Sequence, residues 1–198
     1  MTEYTPHQKS LIEKHRDINT HHYDWWDCTY GDFEFDMSLT GIEVDKMMFS
    51  GFWSQGDGAS FTGRISGTKL FMEHHKLTET YPTVMRLLSH GGHCDLRVER
   101  TSSRYCHEYT VTVHCTHNDH FRHILDDSAP LRVAVAERWD EDLDSEIAAL
   151  ENTVAGIIRD DCRSLYRKLE EEYNYQTSDD AVWEAIQNND LATEEEDE

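Results

Sequence analysis

Apolar and polar positions alternate at period two in several stretches of the chain, and elsewhere apolar positions recur every three or four residues. The first alternating stretch is Ile42-Glu43-Val44-Asp45, followed by the apolar run Met47-Met48-Phe49. After a turn over Ser54–Gly58, Phe61, Gly63 and Ile65 alternate with Ser60, Thr62 and Arg64. Period two is the spacing of one face of a strand, so the two runs predict a β-hairpin. A second hairpin is predicted over 94–116. Leu96 and Val98 fall on one face, then His107, Tyr109, Val111 and Val113, with Thr101-Ser102-Ser103 as the turn. Glu108, Thr110, Thr112 and His114 fall on the other face. Leu131-Arg-Val-Ala-Val-Ala, after Pro130, reads as a last strand.

Helical spacing governs the rest. Leu143, Ile147, Leu150, Val154, Ile157, Leu165, Leu169 and Tyr173 follow steps of three and four or their multiples. They predict an amphipathic helix of about thirty residues, with breaks suggested at Gly156 or Asp160-Asp161. Its apolar stripe can pack on the sheet or form a coiled-coil seam with a second copy. Trp26, Tyr30 and Phe33 mark a helix opened by Asp24 and stopped by Gly41. Residues 81–90 carry proline in the first turn and glycine at the stop. Thr177 or Ser178 caps a final helix from Asp179 to Asn188, and residues 1–20 hold a short helix capped near Ser10. The pattern predicts an α+β fold. An antiparallel sheet of about four to six strands is packed by a long C-terminal amphipathic helix and shorter helices. Residues 1–20 form a polar segment, 21–190 a single domain and 191–198 an acidic disordered tail.

Charge sharpens this picture. The net charge is −22, and it is unevenly placed. Residues 1–125 hold 17 acidic against 12 Lys/Arg residues, and 126–198 hold 23 against 6. So negative a field excludes direct nucleic-acid binding, which needs Lys and Arg on phosphates. It suits a basic partner, salt adaptation, or carboxylates arranged as an imitation of DNA. No apolar run reaches the ~20 residues that cross a bilayer, and the N-terminus lacks a basic-then-apolar leader. Five scattered cysteines without a C-x-x-C pair read as reduced thiols. These features together point to the cytoplasm.

Two stretches carry candidate chemistry. Gly51, Gly56, Gly58 and Gly63 fall within thirteen residues of a chain that has ten glycines. Glycine is needed where φ is positive or where something approaches the backbone closely. Trp53, Ser54, Gln55 and Asp57 sit on this loop and are the candidate partner- or ligand-binding residues. No lysine follows the glycines as in a P-loop, and no G-x-S-x-G elbow is present. Asp57 bonding its own backbone in a structural turn accounts for the same residues. The second stretch holds His114, Cys115, His117 and His120, a candidate zinc set if the chain turns helical after 117. Its spacing matches no established site, and exposed histidines on a polar loop are the plainer reading.

Asp24-Trp25-Trp26, Gly41-Ile42-Glu43-Val44-Asp45 and Phe49-Ser50-Gly51-Phe52-Trp53-Ser54-Gln55-Gly56-Asp57-Gly58-Ala59-Ser60-Phe61 resemble a family of small uncharacterised proteins of tailed bacteriophages. Tyr105-Cys106-His107-Glu108, Leu165–Tyr173 and Thr177–Val182 extend the resemblance over most of the chain. It implies a phage origin and a host cytoplasm, and no reaction. The expected function is an acidic interaction protein that binds and inhibits or redirects a host protein, such as a basic nucleic-acid-binding enzyme. The alternative is a metal- or small-molecule-dependent enzyme using His107, Glu108 and the histidine cluster. A homodimer through the long helix is compatible with either.

Overall fold

A computed structural model describes residues 3–21, 24–118 and 130–193. The chain divides into two compact units, one of Asp32–Tyr166 and one of Met1–Gly31 with Arg167–Glu198.

The larger unit is built on a four-stranded antiparallel sheet. Its strands are β1 (Ile42–Phe49), β2 (Ala59–Ile65), β3 (His93–Arg100) and β4 (Val111–Asn118), in the spatial order β1-β2-β3-β4. The α+β class is therefore as expected. Ile42 pairs with Ile65, Ile65 with Leu96, and Leu96 with Cys115. That register places the apolar set on one face and Glu43, Arg64, Arg97 and His114 on the other. Helices cover the apolar face, and on the opposite face Ser60 is also fully buried. The opposite face carries ion pairs, Arg64 with Glu43 at 2.5 Å and Arg97 with Glu99 at 3.7 Å. Glycine at position 63 has a direct cause. A Cβ there would lie 2.3 Å from the carbonyl oxygen of Glu43, where β1 shifts register between Val44 and Lys46.

The covering layer comes from helices α3 (Asp27–Leu39), α4 (Thr68–His74), α5 (Pro82–Ser89) and α6 (Pro130–Gln176). Phe33 of α3 meets Phe61 of β2 edge-on at 5.5 Å. Leu143, Ile147, Leu150, Val154, Ile158, Cys162 and Leu165 form the buried stripe of α6. The stripe passes through Ile158 and Cys162 rather than Ile157, and it is spent inside the chain. The helix is longer than the sequence suggests and runs unbroken past Gly156 and Asp160-Asp161. Residues 131–136 belong to it. The expected last strand is corrected there, because Leu-Arg-Val-Ala-Val-Ala is as compatible with a helix opened by Pro130 at its first position as with a strand.

Two carboxylates fix α6 to its neighbours. The Oε1 of Glu151 accepts the N–H of Cys115 at 2.6 Å, so it satisfies a donor of β4. Glu146 accepts from the N–H groups of Thr83 and Val84 at 2.8 and 3.1 Å, and from the Thr83 hydroxyl at 2.7 Å. Those are the free donors of the first turn of α5, whose own N-cap, Tyr81, supplies no side-chain acceptor. A carboxylate there also faces the positive end of the helix. Glu146→Ala is expected to destabilise the protein by about 2 kcal/mol, because three donors lose their acceptor. Urea unfolding measures it, and Glu146→Gln should recover part of the loss.

The smaller unit joins α1 (Pro6–Lys14) and α2 (Ile18–His21) to α7 (Asp179–Asn188). The first helix begins earlier than expected. Thr5, not Ser10, caps it, in a reciprocal box with Gln8. Leu11 and Ile12 pack with Val182 and Ile186. Arg16 bonds Asp179 at 2.6 Å and Tyr4 bonds Asp180 at 2.5 Å. Trp25 lies edge-on to Trp26 and Tyr173, at 5.6 and 5.5 Å. The last helix has the expected bounds and the expected cap, Ser178. Residues 194–198 of the expected acidic tail lie outside the described residues. Among the described residues no helix is long and apolar enough to cross a membrane.

Candidate functional site

Two loops meet at one end of the sheet. The first connects β1 to β2, and its neck is closed by Ser50 N–H to the Gly58 carbonyl at 3.0 Å. Inside it, Asp57 Oδ2 accepts from the N–H groups of Trp53 and Ser54 at 3.0 and 2.6 Å. The Asp57 carboxylate therefore holds its own turn, as the structural reading expects. Gly51 and Gly56 take positive φ, +58° and +97°. Phe52 stacks on Phe49 and touches Tyr166 of α6 at 5.5 Å. Trp53 stands perpendicular to Phe52 and is 77% exposed. Ser54 and Gln55 are exposed beside it.

The second loop spans 101–110, between β3 and β4. It is longer than the three-residue turn expected, and residues 108–110 form one turn of 3-10 helix. This corrects the expected alternation. His107 caps that turn, Tyr109 is exposed and Thr110 is buried, so the shared face of the strand starts only at Val111. His107 Nδ1 accepts from the N–H of Tyr109 at 3.3 Å, which leaves the proton of the neutral ring on Nε2. Arg100 bonds the Tyr105 carbonyl at 2.6 Å, and its guanidinium lies 3.6 Å from Cys106 Sγ.

The glycines of the first loop are explained by the second. A Cβ on Gly58 would sit 2.5 Å from His107 Cα, and one on Gly56 would sit 2.9 Å from the Tyr105 ring. Each loop thus seats the other at backbone contact. The helix α6 completes the site. Arg163 Nε donates to Glu108 at 3.2 Å and its Nη2 to the Tyr109 hydroxyl at 3.3 Å. Glu108, followed by Tyr109, raises the pKa of Arg163 and keeps the guanidinium charged. The guanidinium groups of Arg159 and Arg163 lie 6.0 and 5.7 Å from the centre of the Tyr109 ring. The result is a rim of Trp53, Tyr105 and Tyr109 flanked by arginines, on a strongly acidic protein.

Its polar groups are tied into structure. Asp57 is held by loop amides, Glu108 by Arg163 and His107 Nδ1 by a backbone donor. The rings of Trp53 and Tyr109 are what remain outward, and aromatic side chains are among the groups that dominate contact energies at protein interfaces.

The proposed zinc set does not assemble. Strand alternation sends His114 opposite Arg97, on the open face, and Cys115 opposite Leu96, on the covered face. His117 continues the strand and its Nε2 lies 3.8 Å from Asp144. His120 lies outside the described residues. Among the described residues no three His, Cys, Asp or Glu side chains converge on a metal position. Cys115 instead has its Sγ 2.9 Å from that of Cys94. The Cys94 thiol lowers the pKa of Cys115, while its own is pushed up by the same contact and by burial.

Sequence reasoning found Trp53 and the loop but missed Tyr105, Tyr109, Arg159 and Arg163 as parts of one site. The available signal was the demand of Gly56 and Gly58 for a close neighbour, together with the Tyr105–Glu108 segment.

No curated protein and no solved structure matches the chain. One family model does, described as a domain of unknown function, DUF8835, and it matches residues 25–179. That span takes in both loops and the arginines of α6, and on it the chain belongs to the DUF8835 family.

Proposed function

We propose that the protein is an interaction module that grips a partner protein with the aromatic–arginine end of its sheet. The observation that carries this reading is the pair of outward rings, Trp53 at 77% and Tyr109 at 65% exposure, held on loops that touch at backbone distance. Large rings on preordered loops lose little freedom on binding, so they convert contact into affinity efficiently. The setting that goes with it is a phage protein in a host cytoplasm, acting by occupying or redirecting a host protein.

The acidic field has a secondary part. Glu146 and Glu151 are spent on internal hydrogen bonds, and Asp160 pairs with Arg163. Carboxylates committed in this way cannot serve as a phosphate ladder. The remaining negative surface supports steering toward a basic partner, with the rim supplying the grip.

Immobilised wild-type protein, Trp53→Ala and Tyr109→Ala should be compared for capture from host lysate. The expected result is a single enriched partner whose affinity falls at least about tenfold in each variant. An enriched partner bound equally by all three would overturn the reading. Trp53→Ala should keep the wild-type melting temperature, because that side chain is 77% exposed, and Tyr109→Ala should lower it by no more than about 3 °C, the cost of its exposed contacts with Arg159 and Arg163.

A further inference from the structure

The strand order leaves β1 and β4 at the edges of the sheet, and the two edges differ. On β4, Cys115 N–H is taken by Glu151. Among the described residues, the ladder hydrogen bonds of β1 go to β2 alone, and no other backbone hydrogen bond joins residues 42–48 to another element. Alternate N–H and C=O groups of an edge strand point away from the sheet and can pair with another chain.

Beside this edge lies an open groove of about 380 Å³, lined by Glu34 and Ser38 of α3, Ile42 and Val44 of β1, and Gly67 and Leu70 next to and within α4. Gly41 and Gly67 make its floor. A Cβ on Gly41 would lie 3.0 Å from the Gly67 carbonyl oxygen, so the two backbones cross in contact and no side chain fills the space above them. Of the apolar side chains that line the groove, Ile42 is buried and Leu70 is 49% exposed. The charged groups lining it are both carboxylates. Glu43 is tied to Arg64 and Ser66, whereas Glu34 makes no hydrogen bond or ion pair among the described residues.

We propose that the outer edge of β1 accepts an extended segment of a partner protein as a fifth strand, which seats an apolar side chain in this groove and a lysine or arginine beside Glu34. Three observations converge on that occupant. The unpaired edge supplies main-chain hydrogen bonds, the groove supplies a side-chain pocket at the adjoining register, and Glu34 supplies a carboxylate without a partner among the described residues. The register shift between Val44 and Lys46 bounds the docking window, so the added strand pairs on the Ile42–Val44 side. This surface is separate from the rim around Trp53, and neither depends on the other.

The test uses the full chain and a capped peptide, Lys-Val-Lys-Val-Lys-Val-Lys, with Glu-Val-Glu-Val-Glu-Val-Glu as its counterpart. The lysine peptide is expected to bind saturably and to slow amide exchange within residues 42–44 by about tenfold or more. The glutamate peptide should bind at least about tenfold more weakly. Leu70→Ser and Glu34→Lys change exposed side chains of the groove, and each should weaken the lysine peptide by about tenfold. Trp53→Ala should bind it as the wild type does. The proposal is overturned if no saturable binding occurs, if protection falls elsewhere, or if the Leu70 and Glu34 variants both bind unchanged. It is also overturned if residues 42–49 become protected in the peptide-free protein as its concentration rises, because a second copy then covers the edge.

Discussion

Gly58→Ala is expected to lower the stability of the protein by about 2–4 kcal/mol, through a steric conflict that no side-chain rotation relieves. The added Cβ would meet His107 Cα at 2.5 Å, Cβ at 2.7 Å and N at 3.2 Å. Backbone atoms cannot swing aside, so one loop must lift off the other. For a chain of this size the loss amounts to a fall in melting temperature on the order of 5–15 °C. The separation also moves Trp53 away from Tyr105 and Tyr109, so partner capture should fall together with stability. Gly31→Ala is the matched control. A Cβ there meets nothing within 4 Å and the residue lies inside α3, so the change should stabilise slightly, by about 0.5–1 kcal/mol. Equal melting temperatures for the two variants would show that the loops do not touch at Gly58.

Asp161→Asn is expected to stabilise the protein above neutral pH. Asp161 is half-buried beside the apolar stripe of α6, and among the described residues its carboxylate has no hydrogen-bond partner. Burial first, and the neighbouring Asp160 second, push its pKa up from 3.8 to about 7. The folded state therefore keeps a proton that the unfolded chain releases near pH 4. Below pH 4 the carboxyl is neutral in both states and costs nothing as a charge. As pH rises from about 4 to about 7, the unfolded state is increasingly favoured, and above 7 the penalty is constant. A shift of that size in a group still partly wet is worth roughly 1–3 kcal/mol. The difference in unfolding free energy between Asp161→Asn and the wild type should accordingly grow across pH 4–7 and then level off. A difference that stays flat with pH would mean that the carboxyl is already ionised in the folded protein at pH 4.

The sheet was legible because its faces differ. Phe61 and Ile65 against Thr62 and Arg64 force one register, and a slip of a single residue would bury the arginine. The last helix was legible to the residue, since Ser178 and the acidic first turn define its start. Residues 131–136 misled because β-branched residues alternate there within what is a continuous helix. The 3-10 turn at 108–110 was hidden for a related reason, as Tyr109 and Val111 keep period two while the backbone does not. Helix α4 has too short an apolar pattern, Phe71-Met72, to stand out from a loop. In the candidate site the sequence shows that Gly56 and Gly58 must be approached by something. It does not show that Tyr105 and His107 do so, because contacts over that separation are set by strand pairing and not by local pattern. The Cys94–Cys115 pair escaped notice on the same ground.

The pairing of α1 with α7 has a consequence for synthesis. A ribosome releases Leu11 and Ile12 when Val182 and Ile186, against which they pack, have yet to be translated. At roughly 5–20 residues per second the first helix waits about 10–30 s for its apolar partner. Nine residues are too few to hold a helix alone in water, where about 12–15 are marginal. The opening segment of the chain is thus the last to gain its structure, and a chain truncated before Ser178 would leave it permanently unfolded.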